Sequence, residues 1–208
     1  PGAENYDFTH EKLRDLAYEE TSLARRRLLH RRVAEVLSGP GGRREPGSLA
    51  GVVAYHYRMA GNSAGAAAFY RAAGDYSRSL YANTEAIEQY QAALASGHPD
   101  HAGLHEAIGD LRMLQGEYSA SIASYESAAA LCGEAQVGAL ERKLGNVHAR
   151  LGEWDLAESH YQRALEAGVV DEAGINADRS QTAYQRGEHQ QARDLARRSL
   201  ELAELRCD

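Results

Sequence analysis

A short pattern recurs through the second half of the chain at intervals of 36 and 35 residues. Its most visible members are the glycine–glutamate dipeptides that begin at Gly116, Gly152 and Gly187. A small residue follows each of these glycines five positions later, and another stands seven positions before it. Self-similarity at a fixed period of this length is typical of proteins that stack one small unit repeatedly, so it constrains the fold more than any other feature.

The pattern extends to four copies, and its positions have a physical meaning. An earlier copy has Tyr81 where the later ones have the turn glycine. The small and aromatic positions are, copy by copy, Gly74, Ala86, Tyr90 and Ala93; Gly109, Ser121, Tyr125 and Ala128; Gly145, Ala157, Tyr161 and Ala164; and Ser180, Ala192, Ala196 and Ser199. Small residues allow two antiparallel helices to approach closely, and the aromatic fills the space between one helix pair and the next. Glycine supplies the left-handed turn that ends the first helix.

A helix pair of about 34 residues with these features resembles the tetratricopeptide repeat (TPR). The resemblance implies an all-α fold, a right-handed superhelix of about eleven helices, with a TPR array over residues 46–208. Repeats are expected at about 67–100, 102–135, 138–171 and 173–206, after a helix at 49–60. Because Ala66 and Ala86 are closer together than one period, the helix around residues 64–80 is expected to serve two pairs.

The first 45 residues follow another pattern. Amphipathic segments from His10 to about Glu20 and from Ser22 to about Leu37 predict two helices. Residues 38–48 predict a glycine-rich surface loop. The spaced residues of this region are Phe8, His10, Leu13, Arg14, Ala17, Tyr18, Arg26, Arg27, Leu29, His30, Val33 and Ala34. They resemble the junction of bacterial STAND-class regulatory ATPases, where the helical end of a winged-helix-like region leads into helical repeats.

That second resemblance carries expectations about function. It implies that residues 1–45 join the array to an ATPase core of the same full-length protein, which acts as a partner. Relatives of this kind include LuxR-type and SARP-type transcriptional regulators and ATPase-linked adenylate or guanylate cyclases. The protein would then be a fragment of a bacterial cytoplasmic regulator of transcription or signal transduction.

Several function classes are excluded or disfavoured by what the sequence lacks. No G-x-x-x-x-G-K-[ST] motif and no nucleophile–base or paired-carboxylate pattern occurs, so neither an enzyme nor a cofactor is expected. Cys132 and Cys207 are too few and too distant for a disulfide framework or a four-cysteine zinc site. No apolar run approaches the ~20 residues of a membrane helix, so no membrane partner is expected.

Two groups of residues invite a metal or nucleic-acid interpretation. His98, His101 and His105 are close in sequence, but they fall at a turn between repeats, which favours surface histidines over a metal site. A basic helix segment consists of Arg25, Arg26, Arg27, Arg31 and Arg32. It predicts a domain-docking face, or a solvated helix face. A nucleic-acid-binding helical repeat remains the alternative, disfavoured by the net charge of −7.

The TPR resemblance also implies a partner-binding groove on the concave side, lined by the first helix of each repeat. Carried onto this sequence, the groove positions are Arg71, Asp75, Arg78, Glu106, Asp110, Met113, Arg142, Asn146, Arg150, Gln181, Tyr184 and Gln185. Arg142, Asn146 and Arg150 share one helix face and could grip a carboxylate. The protein is therefore predicted to be a protein–protein interaction or effector-sensing scaffold. Its ligand would be a protein or peptide, with an acidic segment or a polypeptide C-terminus preferred.

Overall fold

The structure is a computed structural model that describes residues 11–39, 46–168 and 171–205. Within these ranges it contains eleven α-helices and one short 3-10 helix, Pro46–Leu49. The α-helices are α1 (Glu11–Glu20), α2 (Leu23–Ser38), α3 (Ala50–Met59), α4 (Ser63–Ser79), α5 (Asn83–Ala95), α6 (His101–Leu114), α7 (Tyr118–Ala129), α8 (Glu134–Leu151), α9 (Trp154–Glu166), α10 (Glu172–Arg186) and α11 (His189–Glu204). The all-α fold and the number of helices predicted from the sequence are confirmed.

The local sequence explains where several helices begin and where the chain turns between the two helices of a repeat. Asn62, Asp100 and Asp171 cap α4, α6 and α10, since each side chain accepts a hydrogen bond from the backbone amide three residues later. The turns inside the four repeats contain a residue in the left-handed conformation. These residues are Tyr81, Gly116, Gly152 and Gly187, with φ of 60°, 77°, 76° and 88°. The period read from the sequence is therefore the period of a helix–turn–helix unit.

The chain divides into two compact units, residues 1–98 and residues 99–208. In the N-terminal unit, α4 packs against both α3 and α5, as expected for a helix that serves two pairs. In the C-terminal unit, the pairs α6–α7, α8–α9 and α10–α11 pack in sequence order. The predicted boundary near residue 45 stays a prediction, because residues 40–45 lie outside the described residues.

Each repeat tyrosine is buried against the helix glycine of its own pair. Tyr90, Tyr125 and Tyr161 are at most 2 % exposed. A Cβ added at Gly145 would lie 2.6 Å from the Tyr161 ring, and the other two pairs are equally close. Glycine is therefore required here by space, because any side chain would overlap the ring.

Within the C-terminal unit, two of these tyrosines also contact the next helix pair. Tyr125 shares a core cluster with Leu140, Leu144 and Val147 of α8. Tyr161 shares a cluster with Ile175 of α10. The predicted filling of the space between pairs is present, and the glycine contact within each pair is an addition that the sequence pattern did not predict.

The N-terminal helices differ from a simple amphipathic pattern. Leu28, Leu29, Val33 and Val36 of α2, which share one apolar face in the sequence, are 39–75 % exposed. Ala34 is the buried residue of this helix. In the described part of the protein the apolar face of α2 is therefore mostly uncovered. The residues Phe8 and His10 of the proposed junction, Arg43 and Arg44 of the loop, and Cys207 lie outside the described residues.

Candidate functional site

The first helices of the C-terminal unit are joined by ion pairs along one surface. Lys143 of α8 places its Nζ 2.6 Å from Glu106 Oε1 and 2.6 Å from Asp110 Oδ1, both on α6. Two carboxylates that would repel each other are thus held by one ammonium group. Glu106 and Asp110, predicted to face a ligand, are engaged within the protein.

Arg142, the residue before Lys143, also pairs with two carboxylates, but on the side of α10 instead of α6. Its Nε lies 2.6 Å from Asp178 Oδ2 and its Nη1 2.5 Å from Asp171 Oδ2, both from the α10 region. Burial opposes the charge of Arg142, but the hydrogen bonds and attraction of the two carboxylates outweigh it and raise the pKa of the guanidinium. Arg142 is therefore occupied by two aspartates of its own chain, at the place where the sequence predicted a ligand carboxylate.

The residue after each helix glycine receives a hydrogen bond from the repeat tyrosine. The Tyr161 hydroxyl donates to Asn146 Oδ1 over 2.8 Å, and the Tyr125 hydroxyl donates to Asp110 Oδ1 over 2.9 Å. Burial raises the pKa of Tyr161 to about 12, so the hydroxyl keeps its proton as a donor at neutral pH. The Asn146 side chain is held in place, and its amide nitrogen is still available as a donor.

A cleft of about 140 Å³ opens between α6, α8 and α10. We call it the first-helix cleft. It is lined by Met113, Asn146, Ala149, Arg150, Tyr161, Asp178, Gln181, Thr182 and Gln185. Arg150 is exposed and forms no ion pair or hydrogen bond among the described residues. The cleft thus combines one unengaged cation, several amide groups and the apolar side chain of Met113.

The cleft brings together five of the twelve predicted groove residues, namely Met113, Asn146, Arg150, Gln181 and Gln185. Tyr184 instead lines a second hollow between α10 and α11. Sequence reasoning missed Lys143, Tyr161, Asp178 and Thr182 as parts of this surface. Tyr161 had a signal, because it lies at a repeat position, whereas the partners of Lys143 and Asp178 are 33 or more residues away along the sequence.

The remaining predicted groove residues belong to the N-terminal unit. Asp75 accepts a hydrogen bond from the Tyr90 hydroxyl over 2.8 Å, which repeats the arrangement of the other pairs. Arg71 Nε lies 3.6 Å from Asp75 Oδ2, and Arg78 also interacts within the protein. The acidic group at this repeat position is therefore engaged as well.

The arginines of α2 are distributed between packing and solvent. Arg26 lies over the Tyr18 ring, with its Cζ 4.9 Å from the centroid. Arg31 pairs with Glu35 on the same helix, Nε to Oε1 at 2.8 Å. Arg25, Arg27 and Arg32 are exposed. The predicted domain-docking role of this segment stays a prediction.

The described residues contain no cluster of three or more histidine, cysteine or acidic side chains able to hold a metal. His98, His101 and His105 therefore do not lie together in a cluster that could hold a metal ion. Sequence reasoning missed two histidine pairs. His30 Nδ1 lies 2.8 Å from His56 Nδ1, and the rings of His148 and His160 stack with centroids 4.9 Å apart. In the described ranges, no helix is long and apolar enough to cross a membrane.

Comparisons with known proteins agree on the repeat. Two tetratricopeptide-repeat family models match residues 83–135 and 136–204. A search of curated protein sequences gives no match. Among solved structures, MamA 41-end from Desulfovibrio magneticus RS-1 superposes with a TM-score of 0.61 at 12 % identity, covering 88 % of this chain and 98 % of that one.

Further solved structures share the same fold at low identity. A MamA crystal structure gives a TM-score of 0.57 at 18 % identity, covering 74 % of this chain and 96 % of that one. YrrB, described as a TPR protein with an unusual peptide-binding site, gives 0.58 at 14 % identity over 92 % of both chains. These likenesses establish the fold, and together with the two family models they show that residues 83–204 belong to the tetratricopeptide-repeat family.

Proposed function

We propose that this protein is an interaction scaffold whose first-helix cleft binds an acidic segment or the C-terminus of another protein. The observation that carries the proposal is the contrast between three cations on α8. Arg142 and Lys143 are each held by two carboxylates, whereas Arg150 lines the cleft without such a partner among the described residues. A ligand carboxylate would be the natural counter-ion for Arg150.

The neighbours of Arg150 suit a carboxylate ligand. Asn146, Gln181 and Gln185 contribute amide groups that can donate hydrogen bonds to the second carboxylate oxygen or to a peptide backbone. Met113 offers an adaptable apolar contact for a side chain of the ligand. Asp178 also lines the cleft, but its carboxylate is neutralised by Arg142 at 2.6 Å. The arrangement favours an anion over a cation.

The ion pairs on both sides of α8 preorganise the cleft for a ligand. Lys143 connects α8 to α6, and Arg142 connects α8 to α10, so the three helices that line the cleft are fastened to one another. A site that is already assembled loses less conformational entropy when its ligand binds. We assign Arg142 to this positioning role and Arg150 to direct contact.

The experiment compares one peptide library in two forms, with a free C-terminal carboxylate and with a C-terminal amide. Heptapeptides rich in Asp and Glu are tested by fluorescence anisotropy against the parent protein and Arg150→Ala. We expect bound peptides to lose about tenfold in affinity with Arg150→Ala, as for one charge-assisted hydrogen bond of roughly 1.5 kcal/mol.

The matched control is Arg197→Ala, which removes another exposed arginine that has no ion pair among the described residues, but on α11 and outside the cleft. It should leave peptide affinity unchanged. If both arginine variants weaken binding equally, the effect comes from net charge and not from the cleft. If the parent protein binds none of the acidic peptides, the proposal is rejected.

A second candidate role concerns α2 and rests on its uncovered apolar face. Leu28, Leu29, Val33 and Val36 are exposed beside the arginines of the same helix. We propose that this helix contacts a nucleotide-binding core in a larger bacterial cytoplasmic regulator. The genomic sequence upstream of the codon for Pro1 tests this, since the proposal requires that it encode a Walker-type core. Steeply salt-dependent binding of duplex DNA by the protein would favour the nucleic-acid alternative instead.

A further inference from the structure

The third and fourth repeats can be compared residue by residue, because they are 35 positions apart. The surface of α8 and α9 that includes Tyr161 is covered by α10. The equivalent surface of α10 and α11 is covered by no described residue and forms a hollow of about 670 Å³. We call it the end hollow. It is lined by Ala177, Ser180, Gln181, Tyr184, His189, Ala192, Arg193 and Ala196.

The end hollow lies where the repeat loses its aromatic residue. In the third repeat, Gly145 and the Tyr161 ring fill this position, and Tyr161 is 1 % exposed. In the fourth repeat the same positions hold Ser180 and Ala196, and Ala196 is exposed. The space that a tyrosine side chain occupies in every earlier repeat is thus open to an incoming side chain.

Apolar residues of α10 and α11 are more exposed than their counterparts in the third repeat. Leu165 packs against the cluster that contains Tyr161 and Ile175. Its equivalent, Leu200, is 60 % exposed, and Tyr184 is 65 % exposed. Exposed apolar groups around a hollow are typical of a surface that another element covers.

One charged position on this surface has the opposite sign to its counterpart on the covered one. In the third repeat, Glu158 of α9 receives a two-point ion pair from Arg179 of α10, with Nε to Oε2 at 3.1 Å. Thirty-five positions later, Arg193 replaces the glutamate, and its bond within the described residues is to Gln190, over 2.6 Å. Arg197, one turn further, forms no ion pair in the same ranges. A covering helix must therefore present a carboxylate where α10 presents an arginine.

We propose that the end hollow binds an amphipathic helix of a partner protein in the way that α10 covers α8 and α9. That helix carries a large aromatic side chain, which enters the space over Ala196, and an acidic residue three positions earlier, which pairs with Arg193. The spacing follows from α10 itself, where Arg179 pairs with Glu158 and Thr182 contacts Tyr161. The mode is helix-in-groove recognition, with an aromatic anchor and one charge contact.

The probe is a fluorescein-labelled peptide of α10, residues 172–186, with Arg179→Glu and Thr182→Phe. A covalent link between positions 177 and 184 keeps it helical; both positions lie on the side away from α8 and α9. Anisotropy should show binding to the parent protein that falls at least tenfold for the peptide with its native Thr182. It should also fall for the peptide with its native Arg179.

Two variants of the protein test the two contacts separately. Ser180→Gly with Ala196→Tyr restores the residues of the earlier repeats, fills the hollow and should abolish binding while the helical circular dichroism is kept. Arg193→Glu should reverse the charge preference, so that the peptide with native Arg179 binds more tightly than the peptide with the Arg179→Glu substitution. Arg150→Ala should bind the probe as the parent does, which separates this inference from the first-helix cleft.

Equal affinity of the parent and both variants would overturn the proposal, because binding would then occur elsewhere on the protein. The proposal is equally overturned if the parent does not bind the probe. If free phenylalanine analogues compete as well as the helix, the hollow is a small-molecule pocket and the helical partner is rejected.

Discussion

The ammonium group of Lys143 lies 2.6 Å from the carboxylate oxygen of Asp110 that also accepts the Tyr125 hydroxyl. One oxygen therefore connects the first helix of one repeat, the second helix of the same repeat and the first helix of the next. Glu106 shares the same ammonium group. These contacts join α6, α7 and α8 on the polar surface of the C-terminal unit.

Lys143→Met should lower the free energy of unfolding by about 1–2 kcal/mol, because it removes the ammonium group that two adjacent, partly buried carboxylates share. The measurement is urea denaturation followed by circular dichroism. Arg31→Met is the control, since it removes an exposed pair on one helix with Glu35 that contributes about 0.3–0.5 kcal/mol. Equal losses in the two variants would show that Lys143 has no special role.

Gly145→Ala should destabilise the protein by about 1–3 kcal/mol, since the added Cβ would overlap the buried Tyr161 ring. Gly51→Ala is the matched control in α3, where the nearest atom would be 3.8 Å away. There the alanine should stabilise the helix, by up to about 1 kcal/mol. Thermal denaturation distinguishes the two, and a stabilising Gly145→Ala would mean that the tyrosine packs elsewhere.

Tyr125→Ala and Tyr161→Ala should each cost about 3–5 kcal/mol, the range for large buried aromatic side chains. The corresponding Tyr→Phe variants keep the ring and lose the hydrogen bonds to Asp110 and Asn146, so each should cost about 1 kcal/mol. Denaturant titration of all four gives the test. Alanine variants as stable as the parent would disprove the packing described for these residues.

Tyr81→Gly should stabilise the protein by about 1 kcal/mol. Tyr81 has φ of 60° and is 89 % exposed, so its side chain gains little from packing while its backbone is held in a conformation that favours glycine. Gly116→Ala places a Cβ at the equivalent turn and should lose a similar amount. Melting temperatures that move in the same direction for both variants would contradict this reasoning.

Stability should decrease as the pH falls from about 7.5 to about 5.5, the range in which histidines titrate. Burial lowers the pKa of His30 and of His56 below 6.5, and Arg26 and His30, respectively, lower each further. The unfolded protein then binds more protons than the folded one between the two pKa values. The free energy of unfolding therefore falls as the pH drops through 6.5 toward the folded pKa. The test is the melting temperature at several pH values.

The double variant His30→Phe with His56→Phe should show a weaker pH dependence over the same range. Some dependence should persist, because burial also lowers the pKa of His105 and of His160. Measurements stay above about pH 5.5 so that carboxylates contribute little. An unchanged pH profile in the double variant would remove the His30–His56 pair from the explanation.

The repeat architecture could be predicted from the sequence because its determinants are local or recur at a fixed interval. Gly116, Gly152 and Gly187 indicate left-handed turns, and the structure has them there. Gly145 and Tyr161 recur at matched positions of the repeat, although their contact with each other was seen only in the structure. The exposed apolar face of α2 could not be foreseen in this way, since periodicity shows that residues share a face but not whether anything covers it.

The role of the charged residues was decided only by tertiary structure. Arg142 and Arg150 have the same chemistry and lie on one face of α8. The sequence alone therefore predicts the same role for both. Packing places Asp171 and Asp178 beside Arg142 and leaves Arg150 without an acidic partner among the described residues. An ion pair depends on the distance between charged groups in space, and these partners are 29 and 36 residues away along the sequence. Sequence thus determined the helices and their period, while the packing of the helices determined which of the two arginines has acidic partners among the described residues.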